Sequence, residues 1–360
     1  MSSTLVTEVL ERLAGEGRWV ASFAGKRILV TGGAGFIGSW LVEGLARLGA
    51  DVYVVDNLWR GSLDHLRKAD GEPWIDLERQ FLLGDLTDPV VVTRAVEWSE
   101  PDWIYHLADV VAGVDFVFSN EPFVFHTNVL INTNVFHAAR QARVAALAYV
   151  GTACSYPRQL QQQPGAVPLV EEQVLPADPE SAYGWSKLMG EYEAEMLSMD
   201  SSSRVGILRL QNVYGPRASL SRRRSQVIPS LIRKAILHPE EEFVVWGSGA
   251  QTRDFVYVGD VIDALLRLPL LGLDEGPIQI GTAQETTIAE LARRIVAISG
   301  RDISVRFDES RPVGDAARSG DFQKARRILG WKVHTSLDEG LRETYRWAEG
   351  LIAQDKGSIA

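Results

Sequence analysis

The chain has 360 residues, 46% hydrophobic and 23% charged, enough to bury a substantial core in two domains or one large elaborated one. With 37 Lys and Arg against 47 Asp and Glu its formal charge is -10, which argues against a general nucleic-acid binder and against docking on an anionic membrane. One cysteine excludes an internal disulfide and a multi-cysteine metal site, the 6 histidines lack the paired spacing of a zinc motif, and the chain reads as a metal-free protein of a reducing cytoplasm.

Residues 1–20 mix acids and glycines with apolar positions, so neither a signal peptide nor a membrane span is expected. Leu5, Val9, Leu10 and Leu13 fall near helical spacing after Ser2, Ser3 or Thr4 as possible caps, predicting a short amphipathic helix. It either packs on its own domain or docks a partner. Apolar runs predict strands at 27–31, 51–55, 80–83, 103–107, 147–151 and 205–210, with helical patterns at 36–48, 89–98, 120–143 and 182–199 between them. This alternation predicts an α/β fold, a doubly wound parallel sheet covered on both faces. The stretch 159–163 is glutamine-rich and runs into Pro164-Gly165, a solvent-facing loop.

From residue 212 the rhythm loosens. A basic loop at 217–224, helices at 226–237, 258–268, 287–299, 322–329 and 336–349, and a turn at 246–249 suggest a smaller domain. The division predicted is an N-terminal helix and linker over 1–25, a dinucleotide-binding domain over 26–211 to which 254–281 returns, and a substrate domain from 212–253 and 282–355.

The run Ile28-Leu29-Val30-Thr31 leads into Gly32-Gly33-Ala34-Gly35-Phe36-Ile37-Gly38 and then an apolar helical face. In this strand, turn and helix context Gly32 permits the tight turn, Gly35 lets backbone amides approach a pyrophosphate, and Gly38 allows close packing of a helix whose N-terminus faces the negative charge. Asp56 closes the next strand roughly twenty residues on, where an acid accepts ribose hydroxyls and repels a 2'-phosphate. NAD is therefore expected over NADP, with Arg60 keeping the alternative open.

Further on, Tyr183 and Lys187 stand four apart on one predicted helix and share a face. The lysine's charge is expected to lower the phenol's pKa, so that Tyr183 serves as base toward a sugar hydroxyl. Cys154, in Thr152-Ala153-Cys154-Ser155-Tyr156-Pro157, reads from composition alone as a small buried hydrophobe.

The Gly-x-x-Gly-x-x-Gly spacing with its downstream Tyr-x-x-x-Lys resembles the extended short-chain dehydrogenase/reductase family, specifically its NAD-dependent epimerases and dehydratases, along nearly the whole chain. The resemblance implies a Rossmann-type sheet with a smaller C-terminal α/β substrate-binding domain, NAD as cofactor, a nucleotide-diphosphate sugar as substrate, and a homodimer through two sheet-flanking helices. It places Phe36, Ile37 and Asn57 with the glycines and Asp56 at the dinucleotide, Asp85 and Leu86 at the adenine, Leu107 and Ala108 on the ribose side, and Tyr183 with Lys187 at the nicotinamide ribose. From the residues alone, Asp85 could equally cap the helix near Pro89, and Leu107-Ala108 could be plain core. Thr152 takes the place of the family's serine or threonine at the substrate oxygen. Dehydratases and decarboxylases of the family carry an acid shortly after it, where this chain has Ala153 and Cys154, which counts against dehydration.

The Cys154 segment, with Leu175-Pro176-Ala177-Asp178-Pro179 and Ala182-Tyr183-Gly184, is most similar to the GDP-mannose 3,5-epimerases within that family. The likeness extends to Gly113, Phe116, Ser119 and Asn120, to 246–253 and to Leu329-Gly330-Trp331. There the matching cysteine moves protons beside a transient 4-ketone, and Asn212, Val227-Ile228-Pro229 and Arg253 meet the nucleotide half of the substrate. Arg217 and the run Arg222 to Arg224 could add diphosphate contacts, or form a solvated loop. Where that group has a catalytic lysine, an ungapped match puts Ser221, beside arginines that hardly deprotonate. The absent lysine leaves the double inversion uncarried, and inversion at position 3, position 5 or both, with Cys154 as the candidate acid/base, is the leading expectation. A 4-epimerase working by rotation of the keto sugar stands next, and a dehydratase or decarboxylase or a non-catalytic nucleotide-sugar binder remain as alternatives.

Overall fold

The computed structural model describes residues 3–163, 165 and 167–357. Its first part runs α1 (Thr4–Gly15), α2 (Gly17–Phe23), β1 (Arg27–Thr31), α3 (Phe36–Arg47), β2 (Asp51–Asp56), β3 (Phe81–Leu83), α4 (Pro89–Ser99), β4 (Trp103–His106), α5 (Val114–Ser119), α6 (Glu121–Gln141), β5 (Ala146–Thr152), α7 (Ala182–Asp200) and β6 (Arg204–Leu210). The second part continues through β7 (Asn212–Tyr214), α8 (Val227–Leu237), β8 (Val244–Trp246), β9 (Thr252–Tyr257), α9 (Val258–Leu271), β10 (Pro277–Ile280), β11 (Glu285–Thr287), α10 (Ile288–Ser299), β12 (Arg306–Asp308), α11 (Gln323–Leu329) and α12 (Leu337–Gly357).

Seven strands form one sheet in the order β10-β6-β5-β4-β1-β2-β3, and every pairing in it is parallel. Successive side chains of a strand point to opposite faces, and the core divides accordingly. Ile28 and Val30 join the apolar cluster beneath α3 and α9 through Leu41, Leu45, Ile262 and Leu265, whereas Leu29 joins Ile104, Leu147, Val135 and Ala194 beneath α6 and α7. The strand order reverses at β1, which is flanked by β2 and β4, so a crevice opens beyond its carboxyl end.

At the N-terminus, Ser3 caps α1 by accepting from the Val6 N–H at 3.1 Å. Val6, Val9, Leu10 and Leu13 are buried, and α1 lies against α9 and α3 of its own chain rather than presenting that face outward. Of the other caps considered, Thr4 is the first residue of α1 itself and Ser2 lies outside the described residues, as does Pro164 of the expected glutamine loop, whose described part holds a one-turn helix over Arg158–Gln161.

Beyond β6 the sequence rhythm is loose because the strands are short: β7, β8, β11 and β12 have 3 residues each. They build a three-stranded sheet, β11-β9-β7, and a two-stranded one, β12-β8, which the periodicity did not predict. The chain returns through α9 to lay β10 beside β6 on the main sheet.

Candidate active site at the sheet crevice

The glycine turn is built by close backbone approach. Gly32 has φ +69°, a left-handed conformation that favours glycine. A Cβ on Gly38 would stand 2.2 Å from the Gly32 carbonyl oxygen, so the first turn of α3 can close on the loop only with hydrogen there. At the end of β2 the Asp56 carboxylate accepts from the Ala34 N–H at 3.0 Å and the Leu58 N–H at 2.7 Å, tying the turn to the neighbouring strand. Burial pushes its pKa up against these hydrogen bonds.

Asn57 donates to Asp85 at 3.4 Å, and Asp85 also accepts from the Thr87 N–H and hydroxyl. The capping role considered for Asp85 belongs instead to Asp88, which accepts from the Val90 N–H at 2.9 Å. Gly32, Gly35, Phe36, Ile37, Gly38, Asp56, Asn57, Asp85, Leu86, Leu107 and Ala108 all line one cavity of about 670 Å³. The backbone of Gly32, Gly35 and Gly38 lines this cavity at the start of α3 with no side chain in the way, which fits the pyrophosphate of a dinucleotide. Arg60, which the sequence left as a partner for a 2'-phosphate, lines the same cavity, where its guanidinium donates to the Val111 carbonyl and lies near Asp109 and Tyr183.

The other end of the cavity carries the chemistry. Thr152, the last residue of β5, accepts from the Cys154 N–H at 3.2 Å through its hydroxyl, which starts the one-turn helix Ala153–Ser155. Ser181 caps α7 by accepting from the Gly184 N–H at 3.3 Å, setting Tyr183 in the first turn and Lys187 one turn on. A Cβ on Gly184 would lie 2.3 Å from the Cys154 carbonyl oxygen. Glycine at this position is what lets the Tyr183 turn press against the Cys154 turn.

A buried polar chain supports α7 from below. Asn132 Oδ1 can only accept, so His106 Nε2 donates to it at 3.0 Å, leaving Nδ1 to accept from the Thr31 hydroxyl at 2.7 Å. Asn132 Nδ2 in turn donates to the Tyr149 hydroxyl at 3.3 Å, and that hydroxyl donates to the Lys187 carbonyl at 3.3 Å. Burial and the nearby Lys187 hold the His106 pKa down at about 3, so the ring is neutral.

Lys187 corrects one expectation. Its ammonium is 2.9 Å from the Asp109 carboxylate, with side-chain exposures of only 2% and 9%, and 4.4 Å from the centroid of the Tyr149 ring. Burial opposes the charge on Lys187, but Asp109 and Tyr149 outweigh it and hold its pKa above the ordinary lysine value. Tyr183 is not lowered: burial, then Asp109, Cys154 and Tyr149, push its phenol well up, against a hydrogen bond from Thr152.

The Cys154 Sγ accepts from Arg318 Nη1 at 3.0 Å. The same guanidinium donates to Gln161 Oε1 at 2.7 Å and pairs with Asp315. Glu180 accepts from the Asp315 N–H at 3.1 Å and lines the cavity, its pKa raised by burial and by Asp315. Arg253 donates to the carbonyls of Thr252 and Asp315, both at 2.7 Å, and burial with the neighbouring Arg318 brings its pKa down to about 10.

Gly113, Asn212, Val227, Arg222 and Arg253 also line the cavity. Arg222 is solvent-facing, 3.6 Å from Glu241. Arg217 does not present a free guanidinium for a diphosphate: it pairs with Glu43 at 2.9 Å, bonds the Ser39 hydroxyl and stacks on Trp40. Ser221 sits in an exposed turn, its hydroxyl accepting from the Arg223 N–H, and it is not among the lining residues.

The sequence reading missed Asp109, Glu180, Asp315 and Arg318. Asp109 had a signal, since it directly follows Leu107-Ala108 at the carboxyl end of β4. Arg318 had none, being 164 residues from the thiol it contacts.

A parallel sheet with a glycine-floored crevice at its switch point and a Tyr-Lys pair beside a threonine hydroxyl defines a nicotinamide-dinucleotide enzyme of the Rossmann type. Residues 28–281 match the model of the NAD dependent epimerase/dehydratase family, and the chain belongs to that family. The chain is 29% identical to GDP-mannose 3,5-epimerase of Arabidopsis thaliana over 92% of its length and 84% of that protein. It is 34% identical to UDP-glucuronic acid decarboxylase 5 of the same plant over 88% of its length and 87% of that protein. Among solved structures it is similar to UDP-glucose 4-epimerase of Thermotoga maritima with UDP-glucose, with a TM-score of 0.80, 27% identity, and coverage of 90% of this chain and 99% of that one. The Thermus thermophilus UDP-glucose 4-epimerase complex with NAD gives a TM-score of 0.77 at 28% identity, with the same coverage. NAD is the cofactor, and the family is one of nucleotide-sugar epimerases and decarboxylases.

Proposed function

We propose that the chain is a nucleotide-sugar epimerase that oxidises its substrate transiently at position 4 and inverts a carbon next to the ketone, at position 3, position 5 or both. NAD, when bound, takes up and returns the hydride at the sugar carbon. Tyr183 accepts and returns the proton of the 4-hydroxyl, Thr152 holds the same oxygen, and Lys187 anchors the nicotinamide ribose. Cys154 removes or returns the proton on the carbon that the ketone has acidified.

The observation that carries this reading is the Cys154 thiol, set one short turn beyond Thr152 and hydrogen-bonded by a guanidinium at 3.0 Å. A charged donor stabilises the thiolate that a proton-abstracting cysteine needs. Residues 26–211 with 254–281 hold the dinucleotide in this reading, and 212–253 with 282–355 hold the nucleotide sugar through Gly113, Asn212, Val227 and Arg253. A homodimer in the cytoplasm completes it. Trp185, Met189, Tyr192, Met196 and Met199 are exposed along α7 at helical spacing, an apolar stripe suited to a second copy.

Incubation with a panel of nucleotide-diphosphate hexoses and heptoses in deuterated water tests the chemistry. Deuterium at carbon 3 or 5 of a product of unchanged heavy-atom composition is the expected result. A second reading, 4-epimerisation by rotation of the keto sugar, draws on Ser221, which leaves the place of a second acid/base without a titrating side chain. Rotation labels neither carbon, and loss of carbon dioxide or water would mark a decarboxylase or dehydratase.

A further inference from the structure

Inverting a carbon takes a proton from one face and delivers another to the opposite face, so a single thiol needs a second acid/base to complete it. Ser221 does not supply that group, since it sits in an exposed turn and is not among the lining residues. Glu180 does line the cavity, just ahead of α7 and three residues before Tyr183.

The loop that follows β12 fixes its position. Glu180 Oε2 accepts from the Asp315 N–H at 3.1 Å. A Cβ built on Gly314 would lie 3.3 Å from that same oxygen and 3.2 Å from Arg253 Nη2, so the bare backbone there lets the carboxyl and the guanidinium approach one point of the wall. Asp315 in turn pairs with Arg318, whose Nη1 donates to the Cys154 Sγ at 3.0 Å. Carboxyl and thiol are thus the two ends of one chain of contacts, carried by different segments of the fold. Other carboxyls of the cavity are placed differently: Asp56 and Asp85 brace turns at the dinucleotide end, and Asp109 is bound to Lys187.

We propose that Glu180 is the second acid/base of the inversion, serving the face of the reacting carbon opposite Cys154. This rests on the reading of the chain as an epimerase that inverts a carbon next to a 4-ketone. The Cys154 thiolate takes the proton of that carbon: the C–H bond breaks, an S–H bond forms, and the electron pair passes into an enolate whose oxygen Thr152 holds. The Glu180 carboxylic acid then gives its proton to the other face. Its O–H bond breaks, the enolate pair forms the new C–H bond, and the ketone is restored. The thiol loses a proton to water and the carboxylate regains one, so no proton is consumed overall. Burial and Asp315 raise the Glu180 pKa, which favours the acid form that donation requires.

The test is incubation of the full chain, loaded with NAD, with nucleotide-diphosphate hexoses and heptoses in deuterated water, reading inverted product and deuterium in recovered substrate separately. Glu180→Gln keeps an oxygen for the Asp315 N–H and is expected to lower formation of inverted product by about a hundredfold or more. Deuterium should still enter recovered substrate at carbon 3 or 5 with retained configuration, because Cys154 continues to remove and return a proton on its own face. Glu180→Ala, carried alongside, should show the same split, with KM unchanged in both variants and melting curves confirming that they fold. Inversion at the wild-type rate in either variant overturns the proposal. Joint loss of inversion and exchange also overturns it, since Glu180 would then serve binding. Wild-type protein that labels neither carbon with any sugar removes the underlying reading instead, and the proposal falls with it.

Discussion

Arg318 Nη1 lies 3.0 Å from the Cys154 Sγ and the same guanidinium pairs with Asp315, so a loop residue 164 positions away completes the surroundings of the lone thiol. Both ends of the Arg318–Asp315 pair are buried, with exposures of 7% and 4%. Its two functions, donating to sulfur and neutralising a buried carboxylate, separate experimentally.

Arg318→Gln leaves Asp315 buried without its cation, a loss of about 3 to 5 kcal/mol for a broken buried pair. A clear fall in Tm is expected. Because Cys154 is the only cysteine, its alkylation by iodoacetamide can be followed directly, and loss of a charged hydrogen bond should slow it about tenfold. An unchanged rate in the folded variant would show that the guanidinium has no bearing on the thiol.

Cys154→Ala should cut deuterium incorporation at carbon 3 or 5 by about a hundredfold or more, the usual weight of a general acid/base. Reduction of bound NAD on mixing with substrate, read at 340 nm, should survive in the same variant. Loss of both signals would instead assign Cys154 to substrate binding.

For Tyr183→Phe the order is reversed. Hydride transfer should drop by about a hundredfold to ten-thousandfold, with the melting temperature nearly held, since the ring stays in place and the hydroxyl gives up only its contact with Thr152. Retention of NAD reduction at the wild-type rate would remove Tyr183 from the redox step.

Gly38→Ala places a methyl 2.2 Å from the Gly32 carbonyl, on backbone that cannot turn aside. Overpacking of this kind costs about 1 to 3 kcal/mol. NAD affinity by calorimetry should fall together with Tm, whereas Gly17→Ala, with nothing within 4 Å, should change neither.

His106 gives the protein an acid-side liability. Its folded pKa of about 3 lies below the ordinary 6.5, so between these values the unfolded chain binds more protons and stability falls as pH falls. The slope approaches about 1.4 kcal/mol per pH unit for one group in the middle of that window. Asp254 and Asp260 work in the opposite sense, since burial raises both to about 6 and their contribution is lost as pH rises from the ordinary 3.8 through that value. The measurement is therefore the difference in stability between wild type and His106→Gln, by denaturant titration from pH 4 to pH 7. That difference should tilt with pH in the direction stated, and a flat difference would remove His106 as the source.

Several parts of the site were legible because their physics is local. The glycine spacing at 32, 35 and 38, the carboxylate ending β2 and the four-residue interval from Tyr183 to Lys187 are each set within one strand-turn-helix unit or one helix. The short strands β7, β8, β11 and β12 were not legible, because three residues carry no readable period and gain their pairing from distant partners. The surroundings of the arginines were not legible for a similar reason. Nothing in the local sequence says that Arg217 meets Glu43, 174 residues away, while Arg222 stays at the solvent.

By itself the sequence determined the parallel sheet, the dinucleotide turn and the candidate groups Tyr183, Lys187, Thr152 and Cys154, since these rest on backbone geometry and side-chain chemistry at fixed spacing. Only the tertiary structure decided the charge state around those groups. Asp109 on Lys187 and Arg318 on Cys154 are contacts between elements far apart in the chain, and in a buried pair such as Lys187 and Asp109 a single opposite charge at 3 Å outweighs anything the neighbouring residues in sequence supply.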